Sequence, residues 1–72
     1  MDIYKMLDYY RQRAGLTNQQ VSNALGHEHE SYYRVKIYRQ SKFDLHELQQ
    51  LIYLFNLSDE ELIKMFKPNI RK

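Results

Sequence analysis

The chain has 72 residues, which is enough for one small domain with a modest core, and 43% of them are hydrophobic, as in folded proteins. It has no cysteine, which excludes a disulfide framework and a thiolate metal site. The net charge of +2 is too small to indicate a nucleic-acid partner by itself. No apolar run approaches the roughly 20 residues of a membrane span. The first residues, MDIYKMLDYY, have no signal-peptide character, so we expect a soluble cytoplasmic protein.

Three repeats of one capping pattern predict where helices begin. Each repeat has a polar N-cap residue, an acid or amide three residues later, and apolar residues on both sides. The repeats are LTNQQV, FDLHEL and LSDEEL, with N-caps at Thr17, Asp44 and Ser58. Each one opens a segment with helical periodicity, so the chain is predicted to be all-α.

The first two helices are predicted over about residues 2–13 and 18–25, ended by Gly15 and Gly26 respectively. The first helix has its apolar stripe at Ile3, Met6, Leu7, Tyr10 and Ala14. The second is expected to bury Val21, Ala24 and Leu25.

The third helix is predicted over about residues 28–39. The segment YYRVKIYR is rich in β-forming residues, so a strand is the alternative, but the surrounding helices and short connections favour a helix. At 100° per residue, Tyr32 and Val35 are expected to face inward. The outward face is expected to carry Glu30, Tyr33, Arg34 and Ile37.

The last two helices are predicted over about residues 45–55 and 59–67. Asn56 is expected to end the fourth in a left-handed conformation, and Pro68 to end the fifth. Their inward residues are expected to be Leu48, Leu51, Ile52, Phe55, Leu62, Met65 and Phe66. Residues 1–67 are therefore predicted to form a single domain, followed by a short basic tail at 68–72.

The segment RQRAGLTNQQVSNALG resembles the opening of the Cro/C1 (XRE) family of phage and plasmid regulators. The matching residues are Arg11, Gly15, Leu16, Thr17, Asn18, Ala24, Leu25 and Gly26. HELQQLIYLFNLSDEELIKMF resembles the family's last two helices, so the resemblance covers about residues 2–66. It implies a compact five-helix bundle with a lambda-repressor-like helix-turn-helix, whose second helix enters the DNA major groove in a bacterial host cell.

The resemblance also implies which residues bind. The family's base-reading positions fall on His29, Glu30, Tyr33 and Arg34, and Arg34 would bind guanine through two hydrogen bonds. The residues expected to contact DNA or a partner are Glu28, His29, Glu30, Tyr33, Arg34 and Ile37. The phosphate-contact candidates are Asn18, by resemblance, and Lys42.

Glu28 and Glu30 depart from the family's pattern by placing negative charge at the helix end nearest DNA. A glutamate can accept a hydrogen bond from cytosine, but it opposes the approach of phosphates. The alternative is that both acids stabilise the dipole of the helix from its first turn.

Further departures concern packing. The family often pairs a first-helix arginine with an acid in the third helix, but Arg11 and Lys36 occupy those positions and cannot pair. Tyr38 stands where the family usually has glycine, so the third helix is expected to be longer than usual. An outward Tyr33 and Ile37 would resemble a protein-binding surface, unless one of these side chains folds back over the core.

No catalytic, cofactor or metal site is predicted. His27 and His29 point to different faces of a helix and lack the HExxH spacing. The sequence also has no phosphate-binding glycine loop and no nucleophile–base set. We therefore expect a protein that is not an enzyme and has no small-molecule substrate.

Two functions follow from these observations. A Cro-like sequence-specific repressor would bind operator DNA, as a homodimer joined by apolar residues near Leu57, Leu62 and Phe66. An antirepressor would use its acids to bind the basic surface of a CI-type phage repressor, with operator contact of its own or in the complex as an addition. The chain's length and helix layout resemble the modulator-of-repression (MOR) antirepressors of temperate lactococcal phages, which favours the second function.

Overall fold

A computed structural model of the chain describes the backbone of residues 2–70 and the side chains of residues 2–65. Within those ranges the protein is all-helical and has no strand. The helices are α1 (Ile3–Arg13), α2 (Asn18–Ala24), α3 (Ser31–Arg39), α4 (Leu45–Leu54) and α5 (Asp59–Ile70). The Cα radius of gyration is 11.8 Å, close to the roughly 11 Å expected of a compact chain of this length. The predicted all-α class with five helices is confirmed.

All three predicted capping boxes are present. Thr17 accepts from the Gln20 N–H at 3.1 Å, and the Gln20 side chain accepts from the Thr17 N–H at 2.9 Å. The boxes at Asp44 and Ser58 have the same reciprocal bonds. Asn56 is left-handed, as predicted, with φ of 53°. These local signals place the starts of α2, α4 and α5 correctly.

The core draws buried residues from all five helices. Its buried apolar residues are Met6, Leu7, Tyr10, Val21, Tyr33, Leu51, Phe55 and Met65. Ala14 and Ala24 are exposed, although both were expected to face inward. Both lie where a helix ends and the chain turns away from the core, which explains the difference.

The predicted orientation of α3 is wrong. Tyr33 is completely buried, with its ring centroid 6.2 Å from that of Phe43 and 6.5 Å from that of Phe55. Ile37 is half-buried and packs against the same core. Tyr32 and Val35, which were expected to face inward, are also half-buried and lie at the edge of the core.

The predicted end of α5 at Pro68 is also wrong, because the helix continues to Ile70. A proline in a helix removes one backbone N–H and crowds the preceding turn. Near the end of a helix this affects few hydrogen bonds, so the last turn can still form. The predicted inward orientation of Phe66 lies outside the described side chains.

Among the described residues, no helix combines the length and the apolar character that crossing a membrane requires.

Candidate partner-binding surface

The connection between α2 and α3, residues 25–30, is held in place by side chains of α2. The hydroxyl of Ser22 donates to the Glu30 carbonyl and accepts from the Tyr33 N–H, both at 3.0 Å. The Gln19 amide donates to the Glu28 carbonyl at 2.8 Å. The backbone around Glu28 and Glu30 is therefore fixed by tertiary hydrogen bonds.

These bonds explain why α3 begins at Ser31, three residues later than predicted. Glu30 is its N-cap but makes no side-chain capping bond. Ser22 supplies the missing acceptor, since its hydroxyl bonds the N–H of Tyr33, the third residue of α3. Glu28 and Glu30 consequently precede the first turn of the helix, and no acid lies within that turn.

Three charged residues lie together at this end of α3. Glu28 is exposed, and Glu30 forms an ion pair with Arg34 at 2.8 Å, one helical turn away. The side chains of Arg34 and Glu30 are 55% and 40% exposed. Arg34, the predicted guanine-binding residue, thus already has a carboxylate beside it.

We call the set of exposed Glu28, His29 and Arg34 and half-buried Glu30 the acidic surface. Its two carboxylates outnumber its one guanidinium. The structure brings these four predicted residues together at the start of α3. Tyr33, also predicted here, belongs to the core instead, and Ile37 is half-buried against that core.

The phosphate-contact candidates lie elsewhere. Asn18 is the first residue of α2 and is partly exposed. Lys42 is exposed in the connection between α3 and α4, and its carbonyl accepts a hydrogen bond from Lys36 at 2.8 Å. Lys42 forms no ion pair with a described acid.

A polar cluster that sequence reasoning did not find supports the exposed side of α3. Glu47 of α4 is buried, accepts a hydrogen bond from the Tyr32 hydroxyl and pairs with Lys36 at 3.3 Å. The ring of His27 stacks on Tyr32, with centroids 3.5 Å apart. Glu47 was visible in the sequence only as a capping-box acid, because its other partners lie on α3.

The cluster keeps Glu47 ionised. Burial by itself raises the pKa of Glu47, but hydrogen bonds from Tyr32, the Asp44 N–H and Lys36 outweigh burial and lower the pKa overall. Burial likewise opposes the charge on Lys36, yet contacts with Tyr32 and Glu47 raise its pKa. The ion pair between Lys36 and Glu47 thus links α3 to α4.

Arg11 and Lys36, which cannot pair with each other, each pair with a different acid. Arg11 pairs with Asp8 at 2.9 Å and donates to the Leu16 carbonyl at 2.7 Å. Lys36 instead uses Glu47. Each cation therefore has an acid of its own.

In comparisons with known proteins, no family model, curated protein or solved structure matches this chain. Among the described residues, no group of three or more histidines and acids could hold a metal ion.

Proposed function

We propose that this protein is an antirepressor of a phage lysis/lysogeny switch. It would bind the DNA-binding domain of a CI-type repressor and prevent that domain from binding its operator. In this proposal α2 and α3 form a Cro/C1-type helix-turn-helix, and the chain is a relative of the MOR antirepressors. The observation that carries the proposal is the negative charge of the acidic surface.

DNA binding gains much of its affinity from cations that neutralise phosphates. At the start of α3 the guanidinium of Arg34 already pairs with Glu30, and the exposed Glu28 adds a second negative charge. Bringing this surface to DNA would place carboxylates beside phosphates. Repulsion between these carboxylates and the phosphates therefore opposes DNA binding through this end of α3.

The same charges favour a basic protein surface. The DNA-binding domain of a repressor presents lysines and arginines to phosphates, and carboxylates can occupy the same positions. Opposite charges also accelerate association and exclude acidic partners. A repressor bound in this way could not contact its operator, because the residues that hold DNA would already be occupied.

A Cro-like repressor is the second candidate, because Lys42 is exposed and without a described acid partner, and Asn18 is partly exposed at the first turn of α2. These two residues would allow phosphate contacts. They would equally serve a complex in which this chain and the repressor touch DNA together.

The deciding experiment mixes the purified chain separately with the CI-type repressor of the same genome and with operator DNA, at about 50 and 200 mM salt. We expect a complex with the repressor on a sizing column and little operator binding by the chain itself. Tight operator binding by the chain, without a repressor complex, would reject the antirepressor function in favour of the Cro-like one.

A further inference from the structure

A second surface lies between α1 and α5, away from the residues of the acidic surface in sequence. The two helices leave an open groove of about 340 Å³. The groove is lined by Lys5, Met6, Tyr9, Tyr10 and Lys64. This volume lies at the lower end of the range of ligand-binding sites, roughly 300–1,000 Å³.

The floor of the groove is apolar. Met6 and Tyr10 are 6% and 5% exposed and belong to the core. Tyr9 is 60% exposed, and its ring packs edge-on against Tyr10 with centroids 5.5 Å apart. An exposed aromatic ring supported by a buried one offers a fixed apolar contact to a ligand.

A bridge between side chains joins the two helices that border the groove. The guanidinium of Arg13 lies 4.8 Å from the centre of the Tyr10 ring and pairs with Glu61 of α5. A second bond of this pair, from Arg13 Nη2 to Glu61 Oε1, is 3.1 Å long. The separation of α1 and α5 is therefore held by specific contacts.

The rim of the groove is positively charged. Lys5 and Lys64 are exposed and lie on different helices, so they flank the apolar floor. No ion pair among the described residues includes either lysine, whereas Arg11 and Arg13 each have an acid partner. Two cations without described partners on an apolar floor fit a ligand that is both acidic and apolar.

We infer that the groove binds an acidic, amphipathic helix of a partner protein. Apolar side chains of that helix would lie on Tyr9 and Met6, and its carboxylates would pair with Lys5 and Lys64. A small-molecule site usually encloses about 70–90% of its ligand, but a groove with Tyr9 so exposed would not. A helix laid along an open groove needs no such enclosure. The inference does not depend on the proposed function.

The probe is a fluorescein-labelled synthetic helix that carries a leucine and phenylalanine stripe flanked by glutamates. Anisotropy titrations would compare it with the same peptide bearing glutamine in place of glutamate, and with a labelled single-stranded oligonucleotide. We expect the acidic peptide to bind best. The double variant Lys5→Glu/Lys64→Glu should weaken its binding at least about tenfold, since like charges then face each other.

Tyr9→Ala tests the apolar contact. Because Tyr9 is exposed, this substitution should not disturb the core. Circular dichroism would verify the helical content of each variant. We expect weaker peptide binding by Tyr9→Ala, and unchanged binding by Arg39→Glu, a charge reversal at an exposed position on α3. The inference is overturned if the wild-type chain does not bind the acidic peptide. It is equally overturned if the glutamine peptide or the oligonucleotide binds with the same affinity as the acidic peptide. The same holds if Lys5→Glu/Lys64→Glu does not change the affinity for the acidic peptide.

Discussion

Ser22 stabilises the connection between α2 and α3 through two hydrogen bonds of its hydroxyl. It is completely buried, and its hydroxyl joins the Glu30 carbonyl to the Tyr33 N–H across the connection between α2 and α3. Because the N-cap residue Glu30 makes no capping bond, Ser22 acts as the cap of α3 from a neighbouring helix. The position of the acidic surface therefore depends on one hydroxyl of α2.

We expect Ser22→Ala to lower the free energy of unfolding by about 1–3 kcal/mol, because the N–H of Tyr33 and the Glu30 carbonyl lose a buried partner. Urea denaturation would measure the change. Ser41→Ala, at a half-buried serine between α3 and α4, is the matched control and should change stability much less. Equal losses in the two variants would show that the hydroxyl of Ser22 does not cap α3.

The hydroxyl of Tyr33 has no hydrogen-bond partner among the described residues, although the side chain is completely buried. Burial, followed by the nearby Asp8 carboxylate, raises the pKa of this phenol, so it stays neutral. An unpaired buried hydroxyl costs about 1–3 kcal/mol. We therefore expect Tyr33→Phe to stabilise the protein by about 1 kcal/mol in thermal or urea unfolding.

Tyr33→Ala should instead cost about 3–5 kcal/mol, because it leaves a cavity beside Phe43 and Phe55. Partner binding should be unchanged in Tyr33→Phe, since the ring is inaccessible. A clear loss of stability in Tyr33→Phe would mean that the hydroxyl is paired in solution.

The two adjacent tyrosines of α3 show why residue-level prediction was incomplete. Tyr32 and Tyr33 differ by 100° around the helix, and hydrophobicity does not distinguish them. The two tyrosines differ in their tertiary contacts. The Tyr32 hydroxyl donates to Glu47 at the edge of the core, whereas the Tyr33 ring packs near Phe43 and Phe55. Both orientations depend on residues in α4 or just outside its two ends, which the local pattern of α3 does not contain.

At the scale of elements, α1 and α5 are joined by the pair of Arg13 and Glu61. Glu61 also accepts from the Ser58 N–H at 2.9 Å in the capping box. The hydrogen bond from Arg13, with the Ser58 contact, lowers the pKa of Glu61 from 4.5 to about 2. Ionised Glu61 thus favours the folded state, so its contribution is present above pH 4.5 and is lost as the pH falls towards about 2.

We expect Glu61→Gln to be less stable than the wild type near neutral pH and to lose less stability between pH 4.5 and 2. Urea unfolding at a series of pH values would measure both effects. Glu60→Gln, at an exposed neighbour outside the described ion pairs, is the control. The coupling of α1 to α5 through Glu61 would be refuted if the two variants had the same pH dependence.

Helix starts were predictable where the cap is local. Thr17, Asp44 and Ser58 each bond a residue three positions later, so the sequence contains both partners. The start of α3 was misplaced because its cap comes from Ser22, in another helix. Glu28, His29 and Glu30 are neighbours in sequence, and Arg34, one helical turn later, pairs with Glu30, so their proximity depends little on the orientation of the helix.

On the whole molecule, two surfaces of opposite charge lie on different helix pairs. The acidic surface belongs to the start of α3, whereas the groove between α1 and α5 has lysines at its rim. A chain with a net charge of only +2 can therefore offer distinct sites to a basic and to an acidic partner. The proposed antirepressor function rests on the first of these surfaces.

The most direct test reverses the charge of that surface in the double variant Glu28→Lys/Glu30→Lys. The affinities for the repressor and for operator DNA would be measured by titration calorimetry and gel shift, respectively. Asp59→Lys/Glu60→Lys, at exposed acids of α5, is the matched control. We predict that the reversal at Glu28 and Glu30 weakens repressor binding at least about tenfold and strengthens nonspecific DNA binding, while the control leaves repressor binding nearly unchanged. Undiminished repressor binding by Glu28→Lys/Glu30→Lys would contradict the proposed function.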